Sequence, residues 1–315
     1  MTPAEPRVLH SDIASRTPGG HESYARDPRV PRSLTVLGAG PQTLVQDLGR
    51  PGHAHLGVPP SGALDAPSLK LANRLVGNPE DAAGLEVLLG GLVVRANASC
   101  TVAVTGPHTP ARVNGVLRDS PFHLAAGDTL ALGAPSGGLR AYVAVSGGVA
   151  VPEELGSRAS DVLSGLGPAP LAEGDEVPLG EPAGVPVGVD VLVPTPAPDE
   201  LVVPVLLGPR DDWFADAGGQ LLGGRWTVSD RSNRVGIRLT GTSLERAPER
   251  VGRELASEGL VTGAVQVPPD GLPVVFLADH PTTGGYPVVG VVAERALPLL
   301  GQARPGTLLR FAPQG

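Results

Sequence analysis

The run from Asp128 to Gly148, DTLALGAPSGGLRAYVAVSGG, carries the pattern on which the fold turns. It holds two short segments rich in Val, Leu and Ala, residues 128–134 and 140–148, each bounded by Gly, Pro or Asp, and each reads as a β-strand. The same unit recurs from end to end: LTVLGAG (34–40), LVVRA (92–96), CTVAVTG (100–106), ARVNGVL (111–117), LVVPVLLG (201–208), RWTVSD (225–230), RVGIRLTG (234–241), GAVQVPP (263–269), PVVFLAD (273–279), YPVVGVV (286–292) and TLLRF (307–311). Helical patterns are few. APSLKLANRLV (66–76) follows Asp65 as an N-cap, carries Pro67 in its first turn and stops at Gly77-Asn78-Pro79. A second candidate begins with PEDAAGLEVLL at Pro79, with its end open to a strand reading, and a third lies near 211–222. Thirteen strand-like segments against two or three helices predict a mainly β, barrel-like architecture rather than a βαβ array.

Composition fits that reading. The chain has 44 Gly and 35 Pro in 315 residues, about a quarter of the total, which touches the range of disordered chains. Hydrophobic residues nevertheless make up 41% and charged residues 18%, so Gly and Pro must punctuate buried segments. Four Phe, three Tyr and two Trp leave the core to Val, Leu and Ala. A net charge of −8, with no basic stripe interleaved with aromatics, makes nucleic acid a poor partner. The lone Cys100 excludes a disulfide framework and a four-thiolate metal site. No run of 18 apolar residues indicates a membrane span, and the polar start of the chain lacks an apolar signal-peptide core, so a cytoplasmic protein is expected.

Residues 1–32 read as a flexible tail, 33–195 as a first β-barrel-like domain and 196–315 as a second, with the Pro-rich 181–200 as linker or extended edge. The halves echo each other. Val45-Gln46-Asp47 leads to Arg50 as Val228-Ser229-Asp230 leads to Arg231, and EVLLGGLVV from Glu86 matches ELASEGLVT from Glu254. Two similar barrels would place a site in the groove between them.

Walker A, G-x-G-x-x-G, G-x-S-x-G, HExxH and CxxC motifs are absent, and the pair His53/His55 reads as polar loop histidines rather than a zinc site. Four dense polar clusters remain. The first joins Gln46-Asp47-Leu48-Gly49-Arg50-Pro51-Gly52 to Ser61-Gly62 and Asp65, where Asp65 either accepts a proton or caps the next helix. The second is Arg231-Ser232-Asn233-Arg234, the third Ser257-Glu258-Gly259 with Gln266, and the fourth Asp279-His280-Pro281-Thr282-Thr283-Gly284-Gly285-Tyr286. A Thr-Thr-Gly-Gly turn offers hydroxyls and unhindered backbone N–H groups to a carboxylate or phosphoryl oxygen. Chemistry alone points to a small anionic or amide-bearing ligand, with Arg and Gly donors and Asp or Glu as bases.

Those clusters also carry a resemblance. GPQTLVQDLGRPGHAHLGVPPSGALDAPSLKLANRLVGNPEDAAGLEVLLGG, LLGPRDDWF, RSNRVGIRLTG, ELASEGLVTGAVQVPPDGLPVVFLADHPTTGGYP and LGQARPGTLLRF resemble the family containing the C subunit of 5-oxoprolinase, the Kip-type antagonist of a kinase inhibitor and allophanate hydrolase subunit 2, also described as a biotin-dependent carboxyltransferase domain. The resemblance runs from about Leu34 to Phe311. It departs at Asp279-His280-Pro281, where the family pattern has a basic residue and Gln before the threonines.

The resemblance implies two tandem cyclophilin-like β-barrels with a few short helices. It also implies a subunit of ATP-dependent 5-oxoprolinase, acting with a B subunit (KipI-like, allophanate hydrolase subunit 1-like) and an A subunit (LamB/YcsF-like). ATP would be the co-substrate and would bring its own Mg²⁺, with no metal held by this chain. On that reading Glu258, Gln266, Tyr286 and Asp65 are the catalytic candidates; Arg50, Ser61, Gly62, Asn233, Arg234, Thr282, Thr283, Gly284 and Gly285 hold substrate or phosphate. Two other roles are implied: carboxyl transfer from carboxybiotin to urea or another amide, and non-enzymatic binding of a kinase-inhibitor partner.

Overall fold

A computed structural model describes residues 31–185, 198 and 200–314. The expected tail up to residue 30 and most of the expected linker lie outside the described residues. The strand-rich expectation holds. In the first half the strands form two sheets. One has six strands in the spatial order Glu176–Pro178, Ser33–Ala39, Leu92–Ala96, Thr129–Leu132, Ala111–Val113 and Val116–Arg118; the other has five, Gln42–Gln46, Gly84–Leu88, Arg140–Val145, Cys100–Thr105 and Phe122–Leu124. Their apolar faces share one core, in which Leu85, Val87, Leu92, Val94, Leu124 and Val143 are buried.

In the second half the strands close a seven-stranded barrel: Glu200–Leu207, Val288–Val292, Ala264–Gln266, Val274–Phe276, Gly236–Gly241, Trp226–Val228 and Leu308–Pro313. Six of the seven seams are antiparallel. The seventh closes the ring in parallel, Glu200 opposite Leu308 through Val205 opposite Pro313. Val203, Trp226, Ile237, Val265, Val275, Val289 and Phe311 fill the interior, the period-2 alternation that a closed sheet requires.

Helix α1, Ala66–Leu75, starts as its sequence dictates. Asp65 Oδ1 accepts from the Ser68 N–H at 3.1 Å, and a proline occupies the first turn. Its apolar face lies on the outside of the five-stranded sheet, where Ala72, Leu75 and Val76 meet Ala103 and Ala144. The central strand Arg140–Val145 is therefore buried at all six positions. The second candidate, from Pro79, forms no helix, and the strand reading of its end holds. Residues 79–82 make a turn and Gly84–Leu88 is a strand, because Glu86 and Val87 pair across to Tyr142 and Ala141 in the sheet. The third candidate splits into a short 3₁₀ turn, Asp211–Trp213, and α2, Ala217–Gly223, which sends Leu221 into the barrel core. A last short helix, α3, spans Leu297–Gly301. No helix among the described residues is long and apolar enough to cross a membrane.

The apparent echo of Glu86 at Glu254 has no structural counterpart: Glu86 is buried in a strand, whereas Glu254 is exposed in an irregular loop.

Two of the glycine-rich loops pack backbone to backbone. Gly49 has φ +85°, and a Cβ there would fall 2.4 Å from the Pro60 carbonyl oxygen and 2.6 Å from that of Ser61. Gly52, on the same loop with φ +95°, has open space around it. Gly49→Ala is expected to lower the urea midpoint by the equivalent of about 1–3 kcal/mol, and Gly52→Ala by less, because the latter carries the dihedral strain without the clash. Equal midpoints for the two variants would contradict this packing.

Candidate functional site

Where the two halves meet, a charged cluster is sealed from solvent. Arg234, just before the barrel strand Gly236–Gly241, is 1% exposed. Its Nε donates to Asp279 Oδ2 at 2.8 Å and its Nη2 to Asp279 Oδ1 at 3.0 Å, while Nη1 donates to Glu86 Oε1 of the first half at 2.5 Å. Nη2 also reaches the Gly62 carbonyl at 2.7 Å. Glu86 Oε2 accepts from the Tyr142 hydroxyl at 2.8 Å and the Leu64 N–H at 3.0 Å, and Arg140 Nε lies 3.4 Å from its other oxygen. The Tyr142 oxygen accepts in turn from the Asp65 N–H at 2.8 Å. The Ser61 hydroxyl lies 2.7 Å from Asp279 Oδ1, and the Val162 N–H donates to Asp279 Oδ2 at 3.1 Å.

Burial alone would raise the Glu86 pKa. The charges of Arg234 and Arg140, with the Leu64 and Tyr142 hydrogen bonds, outweigh it and hold the carboxyl below its ordinary value of 4.5. Burial beside Glu86 pushes the Tyr142 phenol well above its usual range, so it remains a donor.

A second contact ties the halves beside this cluster. Gln302, just after α3, accepts from the Leu139 and Arg140 N–H groups at 3.0 and 2.8 Å, and donates to Asp65 Oδ2 and the Arg140 carbonyl at 2.9 Å each. Its amide thereby extends the hydrogen bonding of the central strand. The Arg140 guanidinium donates to the Gly301 carbonyl.

Above this floor lies a cleft of about 990 Å³ between the halves, with Ser61, Lys70, Thr262, Ala278, Glu294 and Arg295 among the residues on its walls. From Thr262 the chain runs back to a polar rim. There Glu258–Gly259 pairs with Thr283–Gly284, Glu258 opposite Gly284, and the Leu260 N–H donates to the Thr282 carbonyl at 2.9 Å. The buried Gln266 donates from Nε2 to the Tyr286 carbonyl at 3.1 Å, which fixes the exit of the Thr-Thr-Gly-Gly turn and leaves the Tyr286 ring half exposed. Arg210 grips Glu258 through both carboxylate oxygens. Those hydrogen bonds hold the Glu258 carboxyl below its ordinary range, so it is a poor proton acceptor while the pair persists. His280 is buried, Nδ1 lies 2.8 Å from the Pro281 carbonyl, and burial pushes the imidazole pKa down.

The structure thus gathers Glu258, Gln266, Thr282, Thr283, Gly284, Gly285 and Tyr286 around one turn, and Ser61, Gly62, Asp65 and Arg234 in or beside the buried cluster; of all these, Ser61 lines the cleft. Several expected roles change. Arg234 is committed to two buried carboxylates, not open to an anionic ligand. Arg50 is equally buried, and its guanidinium donates to the Glu154 carbonyl at 3.2 Å and to that of Ala159, pinning a loop. Asp65 caps α1 and accepts from Gln302 instead of standing free as a base. Asn233 closes its own turn, Oδ1 accepting from the Val235 and Gly236 N–H groups at 2.9 and 3.3 Å. His53 and His55 sit with ring centroids 6.4 Å apart, and among the described residues no third metal-ligating side chain joins them. Sequence reasoning missed Glu86, Arg140, Tyr142 and Arg210. Arg140 and Tyr142 sit in an ordinary strand pattern and Glu86 in the candidate helix from Pro79; Arg210 stood inside the recognised LLGPRDDWF without a role.

The native Glu86 pKa lies below the unfolded one, so its contribution to stability is complete above pH 4.5 and is lost as pH falls through the native value. Glu86→Gln is expected to cost about 3–5 kcal/mol near neutral pH and to flatten the fall in denaturation midpoint between pH 5 and pH 3. An acid limb of unchanged slope would contradict the ionised buried state.

Comparison with known proteins agrees with this fold. Residues 56–313 match the model of the carboxyltransferase domain, subdomain A and B. The chain is 37% identical to the C subunit of 5-oxoprolinase from Escherichia coli, over 88% of this chain and 90% of that one. It is 33% identical to the urea amidolyase of Lachancea kluyveri, over 90% of this chain but 17% of that protein. The solved urea amidolyase of K. lactis superposes with a TM-score of 0.85 at 31% identity, covering 92% of this chain and 19% of the other. In a further solved relative, 38% identical with a TM-score of 0.80, this chain spans 56% of the length. Two sheets and a closed barrel, joined by buried charge and matched over nearly their whole length, place this chain in the carboxyltransferase subdomain A and B family.

Proposed function

We propose that the chain is a subunit of an ATP-dependent 5-oxoprolinase that opens 5-oxo-L-proline to L-glutamate together with B and A subunits in the cytoplasm. The observation that carries this reading is the 37% identity to the C subunit of the Escherichia coli 5-oxoprolinase, across 90% of that protein's length. The chemistry explains the nucleotide. A five-membered lactam is a stable amide with a poor leaving nitrogen, so the carbonyl oxygen first takes the terminal phosphoryl group of ATP and ADP departs. Water then adds to the activated carbon, the C–N bond breaks with the nitrogen taking a proton, and a second water releases phosphate. Such steps need oxyanion donors fixed in place before reaction, and the Thr282–Gly285 turn, anchored by the Leu260 and Gln266 hydrogen bonds, supplies that kind of rigidity. Mg²⁺ enters with the nucleotide on this reading.

A second reading, carboxyl transfer from carboxybiotin to urea or a related amide, draws support from the urea amidolyase relatives. Its biotinylated carrier would lie outside these 315 residues, because Lys70, the only lysine among them, lies in α1 and 3.9 Å from Glu80. Reconstitution with the B and A subunits separates the two. ATP-dependent release of glutamate from 5-oxoproline, independent of bicarbonate and of a biotinylated carrier, is the expected result. Product formation only with carrier and bicarbonate would replace the first reading with the second.

A further inference from the structure

Several guanidinium groups stand in or beside the site, among them the buried Arg140 and, on the cleft wall, Arg295, and they differ in what a ligand can reach. Those of Arg50 and Arg234 are buried, the second between two carboxylates. The Arg210 side chain is 37% exposed and its partner Glu258 34%. The backbone around Arg210 is strapped to the strand that leaves the Thr-Thr-Gly-Gly turn: Gly208 N–H donates to the Val289 carbonyl at 3.0 Å and Arg210 N–H to that of Val288 at 2.9 Å. On the other side, Glu258 pairs in register with Gly284 of the same turn. A planar fork of donors and a glycine turn therefore meet at one point on the surface, with a carboxylate already seated in the fork.

A half-exposed ion pair contributes little to stability, since each partner recovers most of its interaction from water when the pair opens. The fork geometry that accepts Glu258 side-on accepts any carboxylate or phosphoryl group equally well. We propose that Arg210 is the oxyanion-binding residue of this site, and that Glu258 is its resident counter-ion, displaced when a carboxylate or phosphoryl group enters. The inference rests on the 5-oxoprolinase reading for the ligand's identity: either the carboxylate of the lactam or a phosphoryl group of the nucleotide. Displacement has a second effect. Glu258, released from Arg210, regains ordinary carboxylate basicity beside the turn, so arrival of ligand switches a poor proton acceptor into a usable one.

The competition gives a signature that a structural pair would not. On the full chain, titration with inorganic phosphate and with 5-oxoproline is expected to show tighter binding in Glu258→Gln, by about fivefold, and a loss of at least about tenfold in Arg210→Gln. Arg210→Lys, which keeps the charge and loses the fork, falls between wild type and Arg210→Gln. In the enzyme assembled with B and A subunits, Arg210→Gln raises the KM for 5-oxoproline if the lactam carboxylate is the oxyanion, and the KM for ATP if the phosphoryl group is. Wild-type affinities and KM values in Arg210→Gln would overturn the assignment. So would weaker binding in Glu258→Gln, which would make Glu258 a support for Arg210, or no binding by wild type and Glu258→Gln alike. Opposed effects of the two variants on phosphate binding, with no glutamate released by the wild-type assembly, would instead overturn the activity and leave the Arg210 assignment standing.

Discussion

A buried guanidinium is costly unless every side of it is answered by charge or hydrogen bond, and Arg234 is answered from both halves of the chain. Asp279 comes from the barrel, Glu86 from the five-stranded sheet and the Gly62 carbonyl from the loop between them. Removing any one partner leaves an uncompensated charge in a dry place, so the halves cannot shift relative to each other without breaking the set. Gln302 adds a neutral lock beside it, with both amide atoms occupied by Asp65 and the backbone of Arg140. The rest of the molecule depends on this seam. It sets where the loop 59–65 meets the segment 277–279, and hence the shape of the cleft above them.

That arrangement divides labour between two kinds of charge. Buried pairs specify geometry and hold it against ligand and solvent. The partly exposed pair Arg210 and Glu258 keeps the freedom to exchange partners, beside a turn from Thr282 to Tyr286 that is held by the Leu260 and Gln266 hydrogen bonds. Residues 277–286 join the two levels, since one short segment supplies Leu277 to the barrel core, Asp279 to the seam and the glycine turn to the rim. Oxyanion stabilisation requires donors fixed before reaction, and the anchored turn on a rigid base meets that requirement.

Much of the scaffold was legible in the sequence. Short Val/Leu segments between Gly, Pro and Asp became strands, and Asp65 with Pro67 announced α1 by local chemistry alone. The stretch after Pro79 could be read two ways because its helical spacing is local, whereas its strand partners, Leu44 and Thr43 on one side and Tyr142 and Ala141 on the other, lie more than forty residues away. Recognition of the first half as two sheets also depends on such distant pairings. The clusters of the candidate site were visible as polar turns, yet their division of roles was not. Nothing near Arg50 or Arg234 in sequence distinguishes a buried arginine from an accessible one. What decides is a partner such as Glu86, 148 residues from Arg234, or a carbonyl such as that of Ala159, 109 residues from Arg50. The polar clusters located the site; burial decided which members hold it together.

A ligand held by Arg210 that also enters the cleft lies against elements of both halves. Amide hydrogen exchange on the assembled enzyme, compared with and without 5-oxoproline and a non-hydrolysable nucleotide, tests it most directly. Added protection is expected in both the 59–66 segment and the 258–286 segment, since a ligand that fills the cleft and reaches Arg210 shields backbone from each half. Protection confined to one half, or placed away from both segments, would contradict it.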